Sequence, residues 1–269
     1  MASGGAKTGD ERVTAAVLII GDEILSGRTQ DTNLGDIARY LGVHGVDLAE
    51  ARTVPDVHEE IIAALDALRA RYDYVITTGG IGPTHDDITA DAVAAAFGVE
   101  LHEHPDIIRQ MEERVRTRPG AVMNAAMRRM ARVPVGGELV RSSVAAPPGF
   151  TIGNVFVLAG VPTIMRAMLE DVGHRLKGGV VTVSRTVRVE GFGESLIAAP
   201  LETVAKAHPA MSLGSYPFFN EGIYGSNLVL RSRDPQELAA TVGELIAALQ
   251  SAGVANVREI EASAEKAAT

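Results

Sequence analysis

The chain of 269 residues carries 25 basic and 34 acidic residues, and its formal net charge of −9 argues against non-specific nucleic-acid binding, which depends on neutralising phosphates. It has no cysteine, which excludes disulfides, thiolate metal ligands and cysteine nucleophiles. No apolar run approaches the roughly 20 residues that span a bilayer, and residues 1–12 lack a signal-peptide pattern. We therefore expect a cytoplasmic protein that binds neither membrane nor nucleic acid, with residues 1–12 as a disordered lead-in.

Strand and helix patterns alternate over residues 13–177, with short connections between them. Aliphatic runs predict strands at residues 14–20, 46–54, 72–77 and 154–159. Helical spacing of apolar residues predicts helices at residues 32–41, 57–71, 88–97, 105–118, 124–131 and 162–176. This order predicts an α/β domain with a mostly parallel sheet.

The pattern changes after residues 178–179, a pair of glycines. Residues 180–189 alternate between apolar and polar side chains, which predicts a strand with one solvated face. A predicted helix, two strands and a second helix follow, at residues 195–207, 211–216, 224–231 and 235–250. The sequence thus predicts a small β-α-β-β-α domain over residues 178–257, followed by a polar tail over residues 258–269.

The most distinctive string is TTGGIGPTHDDIT at residues 77–89, between a predicted strand and a predicted helix. Its three glycines allow positive φ and close backbone approach, so consecutive N–H groups can form an anion-binding nest. The N-terminus of the next helix adds to the attraction for phosphate. A glycine turn with Asp87 as a helix cap is the alternative, but the density of glycines, hydroxyls and carboxylates favours a binding loop. The expected ligand contacts are Thr78, Gly79, Gly80, Gly82, Pro83, Thr84 and Thr89.

A second loop, GDEILSGRTQDTN at residues 21–33, also follows a predicted strand. Both loops are expected at the same edge of an open α/β sheet, which brings together four carboxylates, Asp22, Glu23, Asp86 and Asp87. Carboxylates repel a phosphate unless a divalent cation offsets their charge. We therefore predict that the four carboxylates are catalytic and that Asp22 and Asp87 hold Mg²⁺. The alternative for the second loop is that Asp31 caps the next helix and the other acids are solvated. The chemistry that fits is pyrophosphate hydrolysis or nucleotidyl transfer.

A third strand-end turn, Ala-Gly-Val-Pro at residues 159–162, precedes another predicted helix. Gly160 and Pro162 are therefore candidate ligand contacts at the same sheet edge. Simple helix initiation by the proline is the alternative.

The strings GDEIL and GGIGPTHDDIT resemble the MoaB/Mog molybdopterin-binding domain, in the versions found in CinA and in the N-terminal half of FAD synthases. The resemblance covers about residues 13–250 and implies a three-layer α/β sandwich followed by a KH-like α+β domain. The KH-like turn reads Gly-Phe-Gly-Glu at residues 191–194, not GxxG, so RNA binding does not carry over. By motif position, the implied binding residues are Asp22, Glu23, Asn33, Gly79, Gly80, Gly82, Pro83, Asp86, Asp87 and Thr89.

The resemblance implies either molybdopterin binding or metal-dependent cleavage of ADP-ribose-like pyrophosphates or FAD. We expect hydrolysis of a nucleotide pyrophosphate by a homo-oligomer; a molybdopterin-binding module without hydrolase activity is the alternative. A regulatory domain without activity is a third reading, which the intact acidic cluster disfavours. Ile164 stands where many CinA proteins have the glutamate of GVPSEM, which puts any role for that carboxylate in doubt here.

Overall fold

The computed structural model describes residues 12–118, 120–144 and 147–260, and the chain divides into two compact units after Val180. The sequence predicts this division after residue 177. The predicted lead-in lies outside the described residues except for Arg12. Within the described ranges, no helix is long and apolar enough to cross a membrane.

The first unit alternates between strands and helices along most of its length. Its strands are β1 (Val13–Ile20), β2 (Val46–Val54), β3 (Tyr74–Thr78), β4 (Leu101–Glu103), β5 (Arg132–Pro134), β6 (Glu138–Val140), β7 (Gly149–Ile152) and β8 (Val155–Leu158). Its helices are α1 (Asp22–Leu25), α2 (Asn33–Val43), α3 (His58–Arg71), α4 (Thr89–Phe97), α5 (Pro105–Arg116), α6 (Ala125–Arg129) and α7 (Pro162–Gly173).

Six of these strands form one sheet in the order β2-β1-β3-β8-β7-β6. The four strands β2, β1, β3 and β8 run parallel, whereas β7 and β6 are antiparallel additions at one edge. The prediction of a mostly parallel sheet is therefore confirmed. The short strands β4 and β5 form a separate antiparallel pair.

Helices cover both faces of this sheet, which makes three layers. Along β1, Leu18 packs into a core with Ile61 of α3, while the next residue, Ile19, packs into a second core with Ile37 of α2. Successive strand residues point to opposite faces, so a strand buried on both sides is a continuous aliphatic run. This explains why β1 was recognisable from sequence.

The second unit is a four-stranded antiparallel sheet in the order β10-β11-β9-β12, packed against two helices. Its strands are β9 (Val183–Glu190), β10 (Ser212–Asn220), β11 (Ile223–Ser232) and β12 (Val257–Ile260), and its helices are α8 (Glu194–Ala207) and α9 (Pro235–Ser251). The predicted β-α-β-β-α order is present over its first five elements.

The prediction of a polar tail is wrong for residues 258–260, which form β12 with Val257 and pair with β9. The polar composition has a simple cause, because β12 is an edge strand whose side chains face solvent in part. Glu259 accepts a hydrogen bond from Arg185 of β9 at 2.8 Å. Residues 261–269 of the predicted tail lie outside the described residues.

The histidine of the second unit lies between two glutamates. His208 follows α8, and its ring nitrogens lie 2.9 Å from Glu244 and 3.4 Å from Glu237 of α9. The hydrogen bond with Glu244 raises the pKa of His208 above its usual value, and Glu237 adds to the rise. Since the folded-state pKa is raised, the protonated ring stabilises the fold below about pH 6.5, and this stability is lost as the pH rises through the folded-state pKa.

We expect His208→Gln to lower the melting temperature by about 1–3 °C at about pH 5.5 and to change it little at about pH 9. The effect is small because both glutamates are partly exposed to solvent. Calorimetry at the two pH values measures it. His174→Gln, at an exposed position of the first unit, is the matched control, and an equal loss of stability at both pH values would contradict the ion-pair interpretation.

Candidate functional site

Three loops begin side by side at one edge of the parallel sheet. Ile19 of β1 is the register partner of Thr78 of β3, and Thr78 is the register partner of Leu158 of β8. The chain leaves all three strands within two residues of these positions. Parallel strands have their carboxyl ends at the same edge, so the predicted convergence of the three loops is present.

A cavity of about 520 Å³ opens between these loops. Eight of the predicted site residues line it: Glu23, Gly79, Gly80, Gly82, Pro83, Asp87, Gly160 and Pro162. Apolar side chains complete the wall, among them Ile81, Met130 and Ile164. The lining thus combines the backbone of the glycine loop with apolar side chains, and Ile164 is one of these apolar residues.

The glycine loop needs its glycines for backbone reasons. Gly79 and Gly80 have φ of 100° and 65°, which favour glycine. A side chain on Gly79 would overlap the carbonyl oxygen of Ile20, and one on Gly80 would overlap the hydroxyl of Thr89. Thr89 is fully buried and donates its hydroxyl to the Gly79 carbonyl at 2.9 Å. Thr89 therefore fixes the loop from beneath and does not line the cavity.

Asp87 closes the loop on itself. One carboxylate oxygen accepts the N–H of Gly82 at 2.6 Å, and the other accepts the N–H of Thr84 at 2.7 Å. The Thr84 hydroxyl also donates to Asp87 and to Asp86. Asp87 is thus a bridge across the loop and not a cap of α4, which begins at Thr89.

This bridge decides which backbone donors remain for a ligand. The N–H of Gly82 is already used, and Pro83 has none. The N–H groups of Gly80 and Ile81 have no partner among the described residues, and both residues line the large cavity. The anion-binding nest of the predicted loop is therefore narrowed to these two consecutive donors.

Arg129 supplies positive charge beside the loop and was missed by the sequence analysis. It lies at the end of α6 and donates to the Asp87 carbonyl at 3.4 Å. Together with Gly80 and Gly82 it lines a small cavity of about 20 Å³ that adjoins the loop. A guanidinium here offsets part of the repulsion that an acidic chain presents to phosphate.

The four predicted carboxylates do not occupy equivalent positions. Glu23 and Asp87 line the large cavity, whereas Asp22 and Asp86 do not. The side-chain hydrogen bond from Thr84 lowers the pKa of Asp86.

Asp56 is a fifth carboxylate in this region. It accepts the backbone N–H of Asp22 at 2.9 Å, and burial raises its pKa, with further contributions from the charges of Asp22, Glu23 and Asp86. Asp56 lies just beyond the end of β2, as Asp22 lies just beyond β1. That position after a parallel strand is the signal that could have found it.

Asn33 and Thr78 line a smaller cavity of about 70 Å³ that shares Glu23 and Gly160 with the large one. Asn33 is 4% exposed and donates its amide to the Gly160 carbonyl at 2.8 Å, which ties the first and third loops together. In the described parts of the chain, the Asn33 carbonyl oxygen and the Thr78 hydroxyl have no partner. Buried polar atoms without partners are costly, and the two residues that carry them line this smaller cavity.

The carboxylates provide the hard oxygen donors that Mg²⁺ prefers, and their mutual repulsion at Asp56 is what a cation would relieve. Over residues 12–260, apart from residues 119, 145 and 146, no three His, Asp or Glu side chains converge to enclose a metal ion. The site therefore fits a cation held by one or two carboxylates, with phosphate oxygens and water as its other ligands. It does not fit a closed protein cage.

The two predicted metal ligands, Asp22 and Asp87, are not well placed to hold a cation in the large cavity. Asp22 does not line the cavity, and both oxygens of Asp87 already accept loop hydrogen bonds. The Glu23 carboxylate accepts no hydrogen bond from the described residues. It lies next to Gly21, where an added side chain would meet the carboxylate oxygens at 2.6 Å. Glu23 is consequently the cavity carboxylate best able to accept a cation.

Comparison with known proteins follows the same division into two units. A family model described as a probable molybdopterin binding domain matches residues 16–178, and one described as the middle domain of FAD synthase matches residues 182–258. The chain is 35% identical over 218 residues to a CinA-like protein of Gemmatimonas aurantiaca, which covers 77% of this chain and 51% of that protein. It is 36% identical over 204 residues to a protein of Pyrococcus furiosus, which covers 71% and 81% of the two chains.

The solved structure of CinA from Thermoplasma acidophilum, described as having unknown function, is similar in fold. It has a TM-score of 0.56 and 30% sequence identity, and the match covers 61% of this chain and 98% of the other. The chain spans about half the length of the CinA-like relatives it matches, 51% and 56% for two of them.

Proposed function

The chain belongs to the family of probable molybdopterin binding domains and has CinA-like relatives, and we propose that its large cavity hydrolyses a nucleotide pyrophosphate with the help of a divalent cation. One observation carries the proposal. The two free N–H groups of Gly80 and Ile81 and the free carboxylate of Glu23 line the same cavity. Donors for phosphate oxygens and an acceptor for a cation or a proton thus face one space.

The reaction needs water, one phosphoanhydride bond and a stabilised leaving group. Water adds to one phosphorus, the bond from that phosphorus to the bridging oxygen breaks, and this oxygen leaves on the second phosphate. The products are two phosphate monoesters: AMP and ribose 5-phosphate from ADP-ribose, or AMP and FMN from FAD. Negative charge builds up on phosphate oxygens during the reaction, so donors placed there in advance lower the barrier.

Different groups around the cavity would bind and stabilise the phosphates in this reaction. The N–H groups of Gly80 and Ile81 bind phosphate oxygens, and Arg129 adds positive charge beside them. The N-terminus of α7 also borders the cavity at Pro162, and its dipole favours negative charge.

Glu23, with Asp22 and Asp56 near it, would hold the cation. When bound there, Mg²⁺ supplies positive charge that polarises the phosphate and makes water more acidic. Mg²⁺ needs only one or two protein carboxylates, and these three acidic residues can supply that number without enclosing the ion.

Molybdopterin binding without turnover is the second candidate function. The description of the matching family favours it, and so does the apolar wall of Ile81, Met130 and Ile164, which suits a flat ring. A nucleotide base or a flavin presents a flat ring as well, so the two candidates need a direct comparison.

We expect AMP to accumulate when the purified protein is mixed with ADP-ribose or FAD and Mg²⁺, and to stop accumulating when a chelator is added. Chromatography of the products measures AMP against its partner monoester. Calorimetric titration with molybdopterin is the parallel measurement. Tight pterin binding, together with no AMP from either dinucleotide across Mg²⁺, Mn²⁺, Co²⁺ and Ni²⁺, would establish the binding module and exclude the hydrolase.

A further inference from the structure

A second cavity in the first unit is lined by three arginines. Its volume is about 300 Å³, and none of its lining residues lines the large cavity. Arg109 and Arg114 lie on α5, and Arg141 directly follows β6. Two separate elements of the fold thus bring their guanidinium groups to one space.

The charge in this cavity is unbalanced. Asp106 is the only carboxylate among the described residues that line the cavity, and it pairs with Arg109 at 2.7 Å. Among the described residues, the guanidinium groups of Arg114 and Arg141 have no partner. Three arginines against one aspartate leave a net charge of +2. Like charges gathered in one cavity repel each other, and this cluster stands out in a chain whose net charge is −9.

We propose that this cavity binds a phosphate monoester. A monoester carries a charge of about −1.5 to −2 near neutral pH, which matches the net +2 of the lining. Guanidinium groups bind phosphate oxygens through paired N–H donors. The three guanidinium groups together have more N–H donors than the two oxygens of Asp106 can accept, so donors remain for a phosphate.

The remaining walls suit the organic part of such a ligand. Ser142 accepts the N–H of Val144 at 3.3 Å, so its own O–H is available to donate. Leu139, Val144 and Pro148 add apolar surface. The volume lies at the lower end of small-molecule pockets, so the cavity has room for more than inorganic phosphate.

Calorimetric titration of the full chain with AMP, ribose 5-phosphate and inorganic phosphate tests the assignment. We expect both esters to bind more tightly than inorganic phosphate. We expect the double variant Arg114→Ala/Arg141→Ala to weaken ester binding at this site at least about 30-fold. Arg116→Ala removes the same charge from an exposed position of α5 outside the cavity and is expected to change binding less than about twofold.

Asp87→Ala separates this site from the large cavity, because it disturbs the glycine loop alone. Ester binding that persists in Asp87→Ala and disappears in the double variant assigns it to the arginine cavity. Wild-type titration curves in the double variant, or tighter binding of inorganic phosphate than of both esters, would overturn the proposal. Arg141 is exposed, so Arg141→Gln gives the same test if the double variant does not fold.

Discussion

Asp87→Ala is expected to reduce pyrophosphate hydrolysis at least about 100-fold while the chain still folds. The substitution removes the acceptors for the N–H groups of Gly82 and Thr84 and for the Thr84 hydroxyl. The loop then no longer holds the N–H groups of Gly80 and Ile81 in place. Asp87 is only partly buried and the sheet beneath it is unaffected, so circular dichroism should remain that of the wild type.

Two further variants show how Asp87 acts. Asp87→Asn keeps one carbonyl acceptor and is expected to recover only part of the activity, because the NH₂ group that replaces the second oxygen cannot accept a hydrogen bond. Asp66→Ala removes a surface carboxylate of α3 that pairs with Arg69 and is expected to have no effect on turnover. Normal turnover in Asp87→Ala would refute the role of the loop. Full rescue of that variant by excess Mg²⁺ would instead assign Asp87 to the cation, as the sequence analysis predicts.

The long parallel strands and the loops after them were predictable because both leave strong local patterns. β1 is a continuous aliphatic run, and residues 77–89 concentrate glycine, threonine and aspartate within one turn. The short strands β4 to β7 have three or four residues each, which is too short for a recognisable period. Strand β7 was also hidden because its first residue, Gly149, follows two prolines, and a Pro-Pro-Gly string is typical of a loop.

The division of roles within the site could not be predicted in the same way, because it depends on where side chains point. Thr89 and Asn33 match the family motif, yet both are buried and hold loops together. Arg129 lies 42 residues beyond Asp87 in the chain, and no local motif connects them. Asp56 follows its strand by two residues, but the sequence pattern alone does not show that β2 lies beside β1 and so brings Asp56 to Asp22.

Glu23→Gln is expected to reduce metal-dependent turnover about 100-fold, with a weaker apparent affinity for Mg²⁺. It should also leave nucleotide binding in the absence of metal unchanged or a few-fold tighter, because the lost carboxylate repels phosphate. This opposite pair of effects follows from the place of Glu23 in the cavity, where its carboxylate accepts no hydrogen bond from the described residues. Turnover measured against Mg²⁺ concentration, and calorimetry with and without Mg²⁺, give the two quantities.

Glu60→Gln, on the exposed side of α3, is the matched control for loss of one glutamate charge and should behave as the wild type in both measurements. If Glu23→Gln keeps the full dependence on Mg²⁺, the cation is held by Asp22 and Asp56 outside the cavity. If the wild type shows no turnover with any metal while Glu23→Gln binds nucleotide more tightly, the carboxylate acts only as a barrier to phosphate. The cavity would then be a binding site and not a hydrolase site, because no other free carboxylate lines it among the described residues.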